Sequence, residues 1–142
     1  MKRVEYKVGD VFQINLPNGK YAYGRIYDDA AVGFYKEITD EPLKPPIGSR
    51  DFAFIVGFND KVITSGECPI VGYDGFSKSE SAWPPPTFIK DPISGKYSIY
   101  HKGKIRKASE EECDGLEETA VWHLSHVIER LMKQHNKSQR RR

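Results

Sequence analysis

The chain has 142 residues, 38% apolar and 30% charged, the size and mix of one globular domain able to bury a core without disulfides. There is no apolar run of about 18 residues, which excludes a transmembrane helix, and Met1-Lys2-Arg3-Val4-Glu5 turns polar at once, so no secretory signal is expected. The formal net charge of +2 is unevenly divided: Lys133 to Arg142 holds five basic residues and no acid, leaving 17 basic against 20 acidic residues over 1–132.

One domain is therefore expected over 1–132, followed by a basic tail at 133–142 that reads as a frayed, disordered end. A basic tail can touch phosphates. No basic stripe is visible inside the domain, however, which weighs against nucleic acid as the partner. Cys68 and Cys113 are too few and too far apart for a disulfide framework; they read as reduced thiols and point to the cytoplasm.

The first element is a hairpin. Val11 to Leu16 alternates, with Phe12, Ile14 and Leu16 on one face, and Asn18-Gly19 is a turn signal because both residues tolerate positive φ. Tyr21 to Tyr27 alternates again, with Ala22, Gly24 and Ile26 on one face and Tyr21, Tyr23, Arg25 and Tyr27 on the other. After Asp28-Asp29, Ala31 to Tyr35 reads as a third strand of a meander. Glu41 to Arg50 is a proline-rich loop. Phe52 to Val56 is apolar on both faces and reads as a central, doubly covered strand. Val62-Ile63-Thr64 is a shorter apolar piece, and Cys68 to Gly72, interrupted by Pro69, is an edge or irregular segment.

Asp74 to Pro86 is the longest stretch without periodicity and ends in the stiff Trp83-Pro84-Pro85-Pro86. Thr87 to Lys90 is a short strand, and Tyr97 to His101 and Lys104 to Lys107 flank Lys102-Gly103 as a last hairpin. The period then changes. From Leu116, the positions Ala120, Leu124, Val127, Ile128 and Leu131 fit one helix face. Asp114, Glu117 and Glu118 would sit at its start and Arg130 and Lys133 at its end, as the helix dipole favours. The fold expected is α+β, mainly β: a small bent antiparallel sheet or SH3-like barrel with one C-terminal helix packed on it.

No catalytic constellation is legible. His123 and His126 are three apart on the expected helix, but nothing around them completes a metal site, and they read as solvated helix residues. Neither cysteine is placed beside a histidine by a recognisable motif, and the glycines form no phosphate-cradling pattern. Neither a metal nor any other cofactor is expected.

Two features suggest contact with another protein. Trp122 falls opposite the apolar stripe, near Glu118, His126 and Glu129. It is either covered by the loop from Trp83 to Pro86 or exposed as an anchor, since tryptophan, tyrosine and arginine dominate interface hot spots. The Tyr21/Tyr23/Arg25/Tyr27 face is either a solvated contact surface or core with wet hydroxyls. The expected partner-binding set is thus Trp122, Tyr21, Tyr23, Arg25, Tyr27, Trp83, Glu118 and His126.

Lys7-Val8-Gly9-Asp10-Val11-Phe12, continuing through Leu16-Pro17-Asn18-Gly19-Lys20-Tyr21-Ala22-Tyr23-Gly24-Arg25, resembles the opening of the immunity protein 26 family. Glu112-Cys113-Asp114-Gly115-Leu116-Glu117 followed by Ala120-Val121-Trp122 is similar to that family's C-terminal part, and Ile70-Val71-Gly72 and Pro84-Pro85 match more loosely. The resemblance implies a bacterial, cytoplasmic, non-enzymatic inhibitor of a polymorphic toxin system. Its partner would be the cognate toxin, in many members a nuclease, with no membrane and no small-molecule substrate involved. A mildly acidic body would suit a basic nuclease. Two alternatives stand beside it: a phosphotriesterase-like hydrolase, a label that some relatives carry, and a small β-barrel that stacks nucleic-acid bases on its aromatics.

Overall fold

The computed structural model describes residues 3–42 and 51–140. The loop expected at 41–50 lies, from residue 43 onward, outside the described residues. Strands β1 (Asp10–Asn15), β2 (Tyr21–Ile26), β3 (Ala31–Tyr35) and β4 (Phe52–Phe58) form an antiparallel meander. β5 (Ile70–Tyr73) borders β1 as an edge strand, as Pro69 suggested, and β10 (Val121–Trp122) borders β4, giving the order β10-β4-β3-β2-β1-β5. A second sheet runs β8-β7-β6-β9, from β6 (Thr87–Lys90), β7 (Tyr97–His101), β8 (Lys104–Ala108) and β9 (Glu117–Glu118). Both sheets keep two edges, so the fold is mainly β with a C-terminal helix and is not a closed barrel. Val62-Ile63-Thr64 belongs to a one-turn helix, α1 (Lys61–Thr64), rather than to an extended piece.

The first hairpin forms where Asn18-Gly19 signals it, by a different device. Gly19 alone takes positive φ, at 81°. Asn18 instead accepts the Lys20 amide on its side-chain oxygen at 3.0 Å, while the amides of Leu16 and Gly19 close the three-residue loop. Among the described residues, the tight turns with both central residues at positive φ are Asp29-Ala30 and Lys102-Gly103.

One face of the large sheet carries the main core. Phe12, Phe34 and Phe58 meet with ring centroids 5.4–6.2 Å apart, and Val127 and Leu131 of helix α2 (Leu124–Arg140) seal them from above. The expected stripe on Leu124, Val127, Ile128 and Leu131 therefore faces the core, with Val127 and Leu131 fully buried. Three of the helix expectations fail. The helix starts at Leu124, not near Leu116; Ala120 is exposed outside it; and its first turn holds no acid. The reason is that 117–122 satisfies its backbone by pairing with β6 and β4 instead of with itself. At the other end the helix runs to Arg140, so the boundary expected at Met132 falls inside it.

The opposite face of the sheet is covered too. Gly33 leaves no room for a Cβ there: one built on it would stand 2.8 Å from Tyr27 and 2.9 Å from Phe52. Val11, Tyr23 and Tyr35 pack with Tyr21, Phe52 and Val71, and β2 and β3 are the strands buried on both sides. β4, expected to be doubly covered, alternates buried Phe54, Val56 and Phe58 with half-buried neighbours.

What closes this second face is Arg25. It is wholly buried, and its Nε donates to the Asp74 carbonyl at 2.7 Å and Nη2 to the Gly75 carbonyl at 2.8 Å. Nη1 and Nη2 grip the Glu80 carboxylate at 2.7 and 3.1 Å, and the guanidinium lies 3.7 Å from the Phe76 ring. Burial alone would lower the Arg25 pKa, but the hydrogen bond to Glu80 and the charges of Asp74 and Glu80 raise it, so it stays charged. The Tyr35 hydroxyl donates to Asp74 at 2.7 Å, and burial first, then this bond, raises its pKa. The aperiodic 74–80 loop is thus ordered by one side chain from the sheet. Breaking a buried ion pair leaves an uncompensated charge, so Arg25→Ala is expected to cost about 3–5 kcal/mol. Leu131→Ala should cost roughly 2–5 kcal/mol by its cavity. Urea denaturation of both variants against wild type checks the pair, and a loss under about 1 kcal/mol at either site refutes the corresponding packing.

Candidate functional site

The segment 117–122 passes from one sheet to the other. β9 pairs in parallel with β6, the Thr119 amide donates to the Phe88 carbonyl at 2.8 Å, and β10 then pairs in parallel with β4. Gly57 makes the second docking possible: a Cβ there would lie 2.7 Å from the Ala120 carbonyl oxygen. The Trp122 carbonyl accepts the Asn59 amide at 2.9 Å, which fixes the end of the segment. Its middle stands out as a ridge, with Val121 67% exposed.

A groove lies on each side of the ridge. The first, of about 530 Å³, is walled by the ridge and by α2, and Trp122, Glu117, Glu118, His126, Glu129, Arg130 and Lys133 line it. The second, of about 420 Å³, lies between the two sheets, with Ile55, Pro84, Pro85, Tyr100 and Lys102 among its lining residues. Glu118, Ala120 and Val121 border both.

Trp122 is not fully exposed. It is half-buried on Phe54, with ring centroids 6.0 Å apart, and Arg130 lies over it. The Arg130 guanidinium sits 4.0 Å from the Phe54 ring and 5.2 Å from Trp122, and it forms a two-pronged pair with Glu117 at 2.9 and 2.7 Å. This planar geometry suits arginine and not lysine. It ties the helix to β9, so the acid expected at the helix start instead serves its second turn.

Of the expected partner-binding residues, Trp122, Glu118 and His126 come together in the first groove. Trp83 is 39% exposed in the loop that precedes Pro84 and Pro85 of the second groove. Arg25 and Tyr27 are buried against the 74–80 loop, Tyr23 is buried among Val11, Tyr35 and Phe52, and Tyr21 is half-buried. The choice left open for that face is decided for core: Tyr23, Arg25 and Tyr27 are buried, and a partner could reach Arg25 or Tyr27 only by displacing the loop that Arg25 holds. Val121, Arg130 and Pro84-Pro85 were not singled out as contacts. A two-residue strand such as Val121–Trp122 is too short to give a periodic signal.

The chemistry available is that of a binding surface with both charges and apolar area. His123 precedes the helix and its carbonyl accepts the amides of His126 and Val127; the two imidazoles are exposed, 6.2 Å apart. Among the described residues no group of three or more His, Cys, Asp or Glu side chains is placed to hold a metal ion. Both cysteines are buried and free, and burial, helped by Glu67, pushes the Cys68 thiol up to about 11, the opposite of an activated nucleophile.

The model of the immunity protein 26 family matches residues 7–99, more than half of the chain. The chain therefore belongs to the immunity protein 26 family. No curated protein and no solved structure matches it. The matched span runs from the first hairpin into β7; the ridge and α2, where the second part of the sequence resemblance falls, lie beyond it.

Gly57→Ala should push the Ala120 carbonyl off β4 while leaving the core intact. The expected result is faster amide exchange at Asn59, whose donor bond ends the ridge, with β1–β3 protection unchanged. Unchanged exchange at Asn59 would show that the ridge does not depend on the missing side chain.

Proposed function

We propose that this protein is a cytoplasmic immunity protein that binds and neutralises a cognate toxin of a bacterial polymorphic toxin system by contact rather than by catalysis. Family membership over 7–99 carries this reading. The geometry supports it with a surface of the right kind: an exposed apolar ridge at Val121, a half-buried tryptophan and a stacked arginine beside it, and a groove on either flank. Interfaces concentrate their energy in such anchors, with polar rims around them. We infer that Trp122, Val121, Glu118 and His126 form the contact patch, with Trp83 and the Pro84-Pro85 bend at its margin. A nuclease toxin fits the slightly acidic body of 1–132.

Trp122 packs on core residues, so its removal would mix stability with binding; Val121 separates the two. Val121→Asp is expected to weaken the complex with the toxin encoded beside the gene by at least about tenfold, or about 1.4 kcal/mol, with the melting temperature unchanged. Co-expression with that toxin should rescue growth for the wild type and less well for the variant. Failure of the wild type to rescue or to co-purify with the toxin would refute the proposed function, whereas full rescue by Val121→Asp would move the contact patch elsewhere.

A further inference from the structure

The small sheet concentrates charge that the whole-chain balance hides. Residues 87–108, which form β6, β7 and β8, carry six Lys and Arg and a single acid, Asp91. The next stretch, 109–132, reverses this, with seven acids and Arg130 alone as base. The expectation that no basic stripe lies within the domain is therefore corrected: the stripe is a sheet edge. β8 is the outer strand, and Lys104, Ile105, Arg106 and Lys107 are all exposed on it. Arg106 reaches Glu112 at 2.8 Å, but among the described residues Lys96, Lys102, Lys104 and Lys107 have no ion-pair partner.

Charge on an edge strand blocks unwanted strand pairing, a task that either sign would perform. Here every charged side chain from Lys96 to Lys107 is positive. The stripe also has an apolar centre. Ile105 is 64% exposed and stands opposite Tyr100, which lines the groove between the sheets together with Lys102 and Val121. The groove lining thus runs outward onto the hairpin, so the ridge, the groove and the basic edge are one continuous surface.

We propose that the β7–β8 hairpin, through Lys102, Lys104 and Lys107 around Ile105, docks an acidic face of the toxin, an inference that rests on the immunity reading. A protein occupant is favoured over a nucleic acid on two grounds. An apolar residue sits at the centre of the charge, and the acidic run Glu110-Glu111-Glu112 directly follows the hairpin, where an extended phosphate backbone would be repelled. Paired with an acidic surface, such a rim acts mainly on the encounter, raising the association rate in a salt-dependent way.

The test is the association rate between the purified protein and a catalytically inactive form of the toxin domain encoded beside its gene, for wild type and for K102E/K104E/K107E. At low salt the triple variant should associate about tenfold or more slowly, and added salt should slow the wild type far more than the variant. The wild-type salt dependence needs no substitution, so it decides the matter even where the variant fails to fold: salt-independent association of the wild type overturns the proposal. A normal complex with equal rates for both proteins overturns it while leaving the immunity reading intact. No wild-type complex at all removes both. Two further results would reassign the edge and overturn the proposal: duplex DNA binding lost in the triple variant, and a wild-type dimer in sedimentation that the variant dissolves.

Discussion

The buried guanidinium of Arg25 is the interaction on which the second face of this protein depends. A charge without solvent must be paired and hydrogen-bonded, and Arg25 achieves this only by drawing in a loop about fifty residues away, reaching two carbonyls and a carboxylate from Asp74 to Glu80. Through Asp74 the same cluster satisfies the Tyr35 hydroxyl, and through Phe76 it roofs Tyr27. The Asp28 amide then donates to the Ala82 carbonyl, which carries the chain toward Trp83 and the Pro84-Pro85 bend. The wall of the groove between the sheets is thus set by a residue that never touches it.

The ridge rests on an opposite device, the absence of a side chain. Gly57 lets the backbone of Ala120 approach β4 closely enough to pair. Once that short strand is in place, α2 must start after it, and Arg130 can reach back to Glu117 while stacking on Phe54. The groove beside Trp122 follows from these constraints. Its Trp122 wall is backed by Phe54 of the core, and the helix supplies a charged rim.

Much of the scaffold was legible in local pattern. The strands of the meander, the edge character imposed by Pro69 and the apolar stripe on Val127 and Leu131 all follow from side-chain period, which local sequence encodes directly. The misplaced helix start has a single cause. Ala120 fits the helical spacing to Leu124, so the period runs on into 117–122 when the segment is read alone. Two-residue strands have no period of their own, and the pairing that holds them lies on β6 and β4. The tyrosine and arginine face of β2 failed to resolve for a similar reason: alternation separates two faces and does not say which one is dry. Of the candidate site, Trp122, Glu118 and His126 were legible as a neighbourhood, although the helix face that suggested them does not exist there.

The sequence by itself determined the class of fold, the hairpin positions, the core stripe of the helix and the family, because each is written in residues close together along the chain. Only the tertiary structure decided that Arg25 is buried, that Val121 is presented between two grooves, and that the lysines of 102–107 form an exposed edge continuous with one of them. These outcomes depend on which distant backbone and side-chain groups satisfy one another once water is excluded.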